Sequence, residues 1–179
     1  MAEAKSFTEI TRDIKKRDNP KDVFITPLPL AKKQIDFVKE WSCFNDDDVW
    51  FDPFRNDGSY YNQFPIECHK DWTEILDDKD FFKFEKKINI ICSNPPYSIL
   101  DKVIKKSIEL KPRIISYLIG LHNLTARRME MFNNAGYSLV GMHMCKVFKW
   151  FGMSVIVQFE RKCGMYDRNI ISYDRTIWR

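Results

Sequence analysis

The apolar positions of the chain fall into helix-like and strand-like stretches. After Phe24-Ile25-Thr26-Pro27, residues Leu28, Leu30, Ala31, Ile35, Val38 and Trp41 keep the spacing of an amphipathic helix. Thr26 is its predicted N-cap and Pro27 lies in its first turn. Val49-Trp50-Phe51 follows three aspartates and ends at Asp52-Pro53, which predicts a short buried strand with a carboxylate at its C-terminal end. Residues 66–75 suggest a second strand. Ile88–Cys92 is a clearer one, stopped by Ser93-Asn94-Pro95-Pro96. Ile99, Leu100, Val103, Ile104 and Ile108 trace a helix from Ser98 to Leu110. Residues 114–119 are again strand-like, and 123–134 are helix-like with Gly136 closing the helix. Ser138–Trp150 and Met153–Phe159 predict an antiparallel hairpin joined through Phe151-Gly152. Strands alternating with helices, then a terminal hairpin, argue for an α/β fold whose sheet is mostly parallel with an antiparallel edge.

Around this pattern lie two polar ends. Residues 1–22 are charged, lack a steady apolar period after Ile14 and break at Asn19-Pro20, so they read as an N-terminal arm. Residues 164–179 read as a basic tail, which leaves 23–163 as one domain within 179 residues. No stretch approaches the roughly 18 apolar residues of a membrane span, and the first thirty residues lack the apolar core of a secretory signal. The five cysteines (43, 68, 92, 145, 163) form no CxxC pair, and the three histidines have no metal-ligand spacing. A reducing, cytoplasmic compartment and no structural metal are the expectation.

Charge changes the picture further. Residues 1–100 hold 15 Lys and Arg against 19 Asp and Glu, whereas residues 101–179 hold 14 against 6. That asymmetry suits a polyanionic partner for the later half, although solvated helix faces would give the same count.

The candidate chemistry sits at Asn94-Pro95-Pro96-Tyr97, between an apolar strand and a helix. Two prolines carry the chain out of the sheet extended, so backbone carbonyls point outward beside one carboxamide and one aromatic ring. Acceptors next to a flat ring make a pocket for a planar group bearing an NH2, and open α/β sheets place ligands at strand C-terminal ends. No GxGxxG and no GxxxxGK[ST] is present, which argues against a nicotinamide Rossmann enzyme and a P-loop nucleotidase.

Asn94-Pro95-Pro96-Tyr97 resembles the (D/N)PP(Y/F/W) motif of the S-adenosylmethionine-dependent amino-group methyltransferases, and further matches follow in that family's order. Phe24-Ile25-Thr26-Pro27 resembles the element that lies against the methionine end of the cofactor. Asp52-Pro53-Phe54 through Gly58-Ser59 resembles the D/E-P-x-x-G-x-G cofactor loop. Glu74 falls where an acidic residue holds the ribose hydroxyls, with Glu67 and Asp71 as rivals, and Asp80-Phe81 resembles the element that reads the cofactor's adenine. Phe148 and Phe151 fall in the late aromatic segment that stacks on the target base together with Tyr97. The loop departs from the family pattern in having Gly58 alone, with Asn56 at the first glycine position; Asn tolerates left-handed backbone better than most residues.

These matches span residues 24 to about 151 and resemble small phage and large-virus adenine methyltransferases. The resemblance implies a Rossmann-like methyltransferase fold, S-adenosylmethionine as cofactor and the N6 amino group of adenine in DNA as acceptor. RNA or a protein glutamine is the sibling alternative, and a catalytically silent nucleic-acid-binding subunit of the same fold is another. Because nearly the whole chain is spent on the catalytic fold, a homodimer or a partner subunit is the expected aid to target recognition.

Overall fold

The computed structural model describes residues 24–42, 44–145, 153–161 and 170–173. The arm 1–22, the aromatic segment with Phe148 and Phe151, and most of the predicted tail lie outside the described residues. Among the described residues, seven strands form one sheet: β1 (Val49–Asp52), β2 (His69–Trp72), β3 (Ile90–Ser93), β4 (Ile114–Gly120), β5 (Tyr137–Cys145), β6 (Ser154–Arg161) and β7 (Ile170–Tyr173). Their spatial order is β2-β1-β3-β4-β6-β5-β7. The first four are parallel, and β6 is antiparallel to both β4 and β5. The predicted hairpin is therefore present, but its second strand enters the interior of the sheet. The outer position belongs to β7, parallel to β5 and drawn from the segment that the sequence set apart as a tail.

Among the described residues, three helices cover the sheet: α1 (Leu28–Trp41), α2 (Leu100–Glu109) and α3 (Ala126–Asn134). The two layers follow from strand alternation. Trp50, Ile90, Cys92 and Ile114 face α1, where they meet Ala31, Ile35 and Val38 with Tyr60 and Phe64. Phe51, Ile91, Ile115, Tyr117 and Val157 face the other way, onto Leu100, Val103 and Ile104 of α2 and Phe132 of α3. Strands buried on both faces read as continuous apolar runs, which is how β1, β3 and β4 were legible. On the second face, Phe132 stacks on Phe159 with centroids 3.7 Å apart.

The start of α1 differs from the expectation. Its N-cap is Pro27, whose carbonyl accepts from Leu30 N (2.9 Å) and Ala31 N (3.1 Å), and Pro29 takes the place in the first turn. Thr26 is not the cap; its side chain turns inward to the site described below. The third helix is also shorter than predicted. Residues 121–123 form a separate 3-10 turn, and Thr125 caps α3 by accepting from Arg128 N. Gly136 lies just past the end with φ +81°, the left-handed closure expected of it.

Candidate functional site

The parallel registers bring Asp52, Trp72 and Ser93 to neighbouring strand ends, so the loops that follow emerge together. After Ser93 the chain leaves the sheet through Asn94-Pro95-Pro96, with Pro96 extended at φ −65°, ψ 125°, and enters a 3-10 turn at Tyr97–Ile99 that leads into α2. Asn94 Nδ2 donates to Thr26 Oγ1 at 3.2 Å. The remaining oxygen, Asn94 Oδ1, is buried and accepts no hydrogen bond. Buried acceptors are normally paired; this one is held by its own amide group with its lone pairs unused. Tyr97, half-buried beside it, packs against the α2–α3 core.

A second unused acceptor lies at the end of β1. Asp52 is fully buried, and its Oδ1 accepts from Ser93 Oγ (2.7 Å) and Phe54 N (3.3 Å). Its Oδ2 has no partner. Burial raises the carboxyl pKa to about 7, against the lowering effect of the Ser93 hydroxyl and of the Phe54 and Tyr61 N–H groups. A polar chain lies beneath: Tyr60 Oη donates to Gln34 Oε1 (2.8 Å), and Gln34 Nε2 donates to Ser116 Oγ (3.1 Å) and Ser93 O (3.4 Å). Gln34 sits in the otherwise apolar stripe of α1 and is fully buried.

The loop after β1 is tied to the end of β2. Asn56 stands at φ +47° and Gly58 at φ +87°, so the asparagine does adopt the left-handed conformation that the missing glycine left to it. A Cβ on Gly58 would meet only the Asn62 side chain, which is exposed and can turn away, so it is the positive φ that calls for glycine here. Asn56 N donates to Glu74 Oε2 at 2.9 Å, and Arg55 N donates to Thr73 O at 3.1 Å. The Arg55 guanidinium lies over the Trp72 ring at 4.4 Å and pairs with Asp77 at 3.6 Å. Among the three acidic rivals, Glu74 is the one joined to this loop. Asp71 lies within β2 and pairs with Lys86, and Glu67 is exposed ahead of the strand.

The other predicted residues fall as follows. Pro53 is buried and Phe54 half-buried, its ring edge-on to Phe81 at 5.4 Å. Asp80 Oδ1 caps the turn at Phe82 N (2.9 Å), while Phe81 is a core residue only 3% exposed. Thr26 is 4% exposed, between half-buried Phe24 and exposed Pro27. Phe148 and Phe151 lie outside the described residues. Cys145 and Gly120 both register with Ser154, so Cys145 and Ser154 lie where β4 ends, at the same end of the sheet as Asn94. The sequence reading missed Ser93, Gln34 and Tyr60. A polar residue inside the apolar stripe of a helix was the available signal for Gln34.

The sequence matches no protein-family model and no curated protein. Solved structures do match. A proposed RNA methyltransferase of Pyrococcus horikoshii superposes with a TM-score of 0.64 at 14% identity, over 87% of this chain and 99% of that one. A proposed class I S-adenosylmethionine-dependent methyltransferase of Listeria monocytogenes gives 0.62 at 9% identity, over 89% and 68%. The E. cuniculi Mtq2–Trm112 complex, responsible for methylation of the translation termination factor eRF1, gives 0.53 at 11% identity, over 79% and 99%. The chain therefore has the Rossmann-like methyltransferase fold, a mostly parallel sheet with an antiparallel pair toward the C-terminus.

Proposed function

We propose that this chain transfers a methyl group from S-adenosylmethionine to the N6 amino group of adenine in DNA. The observation that carries the reading is the pair of buried acceptors without partners, Asn94 Oδ1 and Asp52 Oδ2, at adjoining strand ends of this fold.

The residues at the ends of β1 and β2 fit the cofactor. Asp52 Oδ2 is an orphaned acceptor, and Glu74 keeps lone pairs beyond the two backbone N–H groups it accepts, as ribose hydroxyls require. The loop 53–58 keeps its shape, with Asn56 and Gly58 at positive φ, by spending the N–H groups of Phe54, Arg55, Asn56 and Gly58 within the protein, so what it offers the cofactor is its course between Asp52 and Glu74. Phe24, Thr26 and Pro27 would lie at the methionine end, and Asp80 with Phe81 at the adenine end. When bound, S-adenosylmethionine supplies an activated sulfonium methyl. The protein's own task is to hold the acceptor nitrogen. Asn94 Oδ1 and the Pro95 carbonyl accept its two N–H bonds, which favours a nitrogen whose lone pair is directed outward. Pro96 stiffens that corner. Fixing reacting groups in line supplies much of the rate.

An adenine inside a duplex has to leave the stack to reach this corner. Tyr97 would stack on one face of the base and Phe148 or Phe151 on the other, at about 1–3 kcal/mol per stacked base, comparable with the cost of unstacking. Selection of a target sequence would rest on the segment around Phe148–Phe151, on a second copy of the chain or on a partner subunit.

The test is incubation with methyl-labelled S-adenosylmethionine and a panel of DNA, RNA and glutamine-containing peptide acceptors, with calorimetry of cofactor binding. Label in DNA adenine that vanishes with Asn94→Ala, while the cofactor still binds, supports the reading. Label in RNA or peptide alone corrects the acceptor. Transfer unaffected by Asn94→Ala refutes the site, and absence of cofactor binding refutes the function.

A further inference from the structure

The strongest feature not used by this reading lies at the other end of the sheet, where β3 and β4 begin. A cavity of about 430 Å³ is lined there by Lys87, Ile88, Asn89, Lys111, Arg113 and Arg161, with no carboxylate in its wall. β4 has seven residues, so roughly 20 Å of sheet at about 3.3 Å per residue separates this cavity from the Asn94 corner.

Four basic residues, drawn from separate segments of the chain, share the wall of this cavity. In the cavity, Arg113 pairs with Asp48 (2.6 Å), but Lys87, Lys111 and Arg161 meet no carboxylate among the described residues. Like charges that share one concavity add to a positive field there, which favours an anion in it.

The frame that presents them is pinned. Tyr137 Oη donates to Pro112 O at 2.6 Å, Arg113 N donates to Asn89 O at 2.8 Å, and Arg161 N donates to Arg113 O at 3.0 Å. Lys111 is held at φ +53°, a strained conformation for a lysine, and Arg161 donates to its carbonyl at 3.5 Å. Asn89 Oδ1 is taken by Val49 N (3.0 Å), which leaves the amide NH2 as its remaining polar group. A cation just past a helix C-terminus favours the helix dipole, and that accounts for Lys111 after α2. It does not account for Lys87 or Arg161, which come from other elements.

We infer that this cavity is a second binding site, for a run of phosphates: the backbone of a nucleic acid or a free oligophosphate. Several cations with no carboxylate in the wall favour a multiply charged anion. A site on the opposite side of the sheet from Asn94 would engage nucleic acid away from the methylated base, and it does not depend on methyl transfer.

The experiment measures binding without cofactor, by fluorescence anisotropy of labelled single-stranded DNA, RNA and duplex DNA, with inorganic tripolyphosphate as competitor. The test variant is Lys87→Gln/Lys111→Asn/Arg161→Gln, with Asn chosen at 111 because it accepts positive φ. The control is Lys33→Gln/Lys39→Gln/Lys83→Gln, three exposed lysines removed from other surfaces. The test variant is expected to weaken nucleic-acid binding and to flatten the salt slope by about 2, at about 0.7 per lost single-strand contact. Its disadvantage relative to wild type then shrinks about twentyfold between about 50 and about 200 mM salt. Binding of tripolyphosphate that the test variant loses, with nucleic acid unaffected, assigns the site to a free oligophosphate. Unchanged binding of all probes overturns the inference, as does an equal loss in the control, which would reduce the effect to net charge.

Discussion

Asp52→Asn should remove a loss of stability that the wild type suffers as pH rises. With its pKa raised from 3.8 to about 7, the folded protein binds this proton more tightly than the unfolded chain does. The favourable contribution is complete below pH 4 and is lost as pH rises to about 7. A shift of three units at about 1.4 kcal/mol each makes the ionised group cost about 4 kcal/mol above pH 7. Asparagine removes that cost and keeps an oxygen for Ser93 Oγ. It also sets an NH2 where Oδ2 has no partner, at about 1–3 kcal/mol. The variant should therefore be less stable than wild type near pH 4 and more stable by about 1–3 kcal/mol at pH 8. For a chain of this size, at about 2–4 °C per kcal/mol, that is a rise in Tm of roughly 2–12 °C. Thermal unfolding without ligand, at half-unit steps from pH 4 to 8.5, would show the two curves crossing. Parallel curves would refute the argument that burial holds the proton. On the proposed function, the same variant loses S-adenosylmethionine affinity, so calorimetry should pair higher stability with weaker binding.

Three further outcomes follow. Thr26→Val removes the acceptor that holds Asn94 Nδ2 and frees the amide to turn; kcat for methyl transfer should fall about tenfold, the equivalent of about 1.4 kcal/mol, while Thr26→Ser restores it. Loss of both kcat and folding, without rescue by serine, would mean a packing role instead. At φ +47°, Asn56→Gly should preserve cofactor affinity and Asn56→Ala should cost about 1 kcal/mol, read by calorimetry as a several-fold rise in Kd. Phe132→Ala removes a ring stacked on Phe159 beneath the sheet and should cost about 3–5 kcal/mol in urea unfolding, with cofactor affinity of the folded fraction unaltered.

The elements that sequence revealed well are those buried on both faces. In β1, β3 and β4, consecutive apolar residues are dictated by two cores at once, so the run itself announces the strand. The start of α1 was less legible because Pro27 and Pro29 both suit a first turn, and a threonine before proline has the appearance of a cap. Only the position of Asn94 in space shows why the Thr26 hydroxyl turns inward. The choice among Glu67, Asp71 and Glu74 depended on where β2 stops, which its charged, half-exposed residues do not mark. The chain beneath the site, from Tyr60 through Gln34 to Ser93, joins residues up to 59 positions apart, beyond the reach of any local pattern.

The reversed direction of β6 separates what the fold must conserve from what it can vary. Since Cys145 and Ser154 meet across one rung beside Gly120, the connection between them can be lengthened, shortened or replaced with its two stems left in register. On the proposed function, grafting a different connection at this point would redirect which molecule is engaged, with the sheet itself serving as an unchanged chassis.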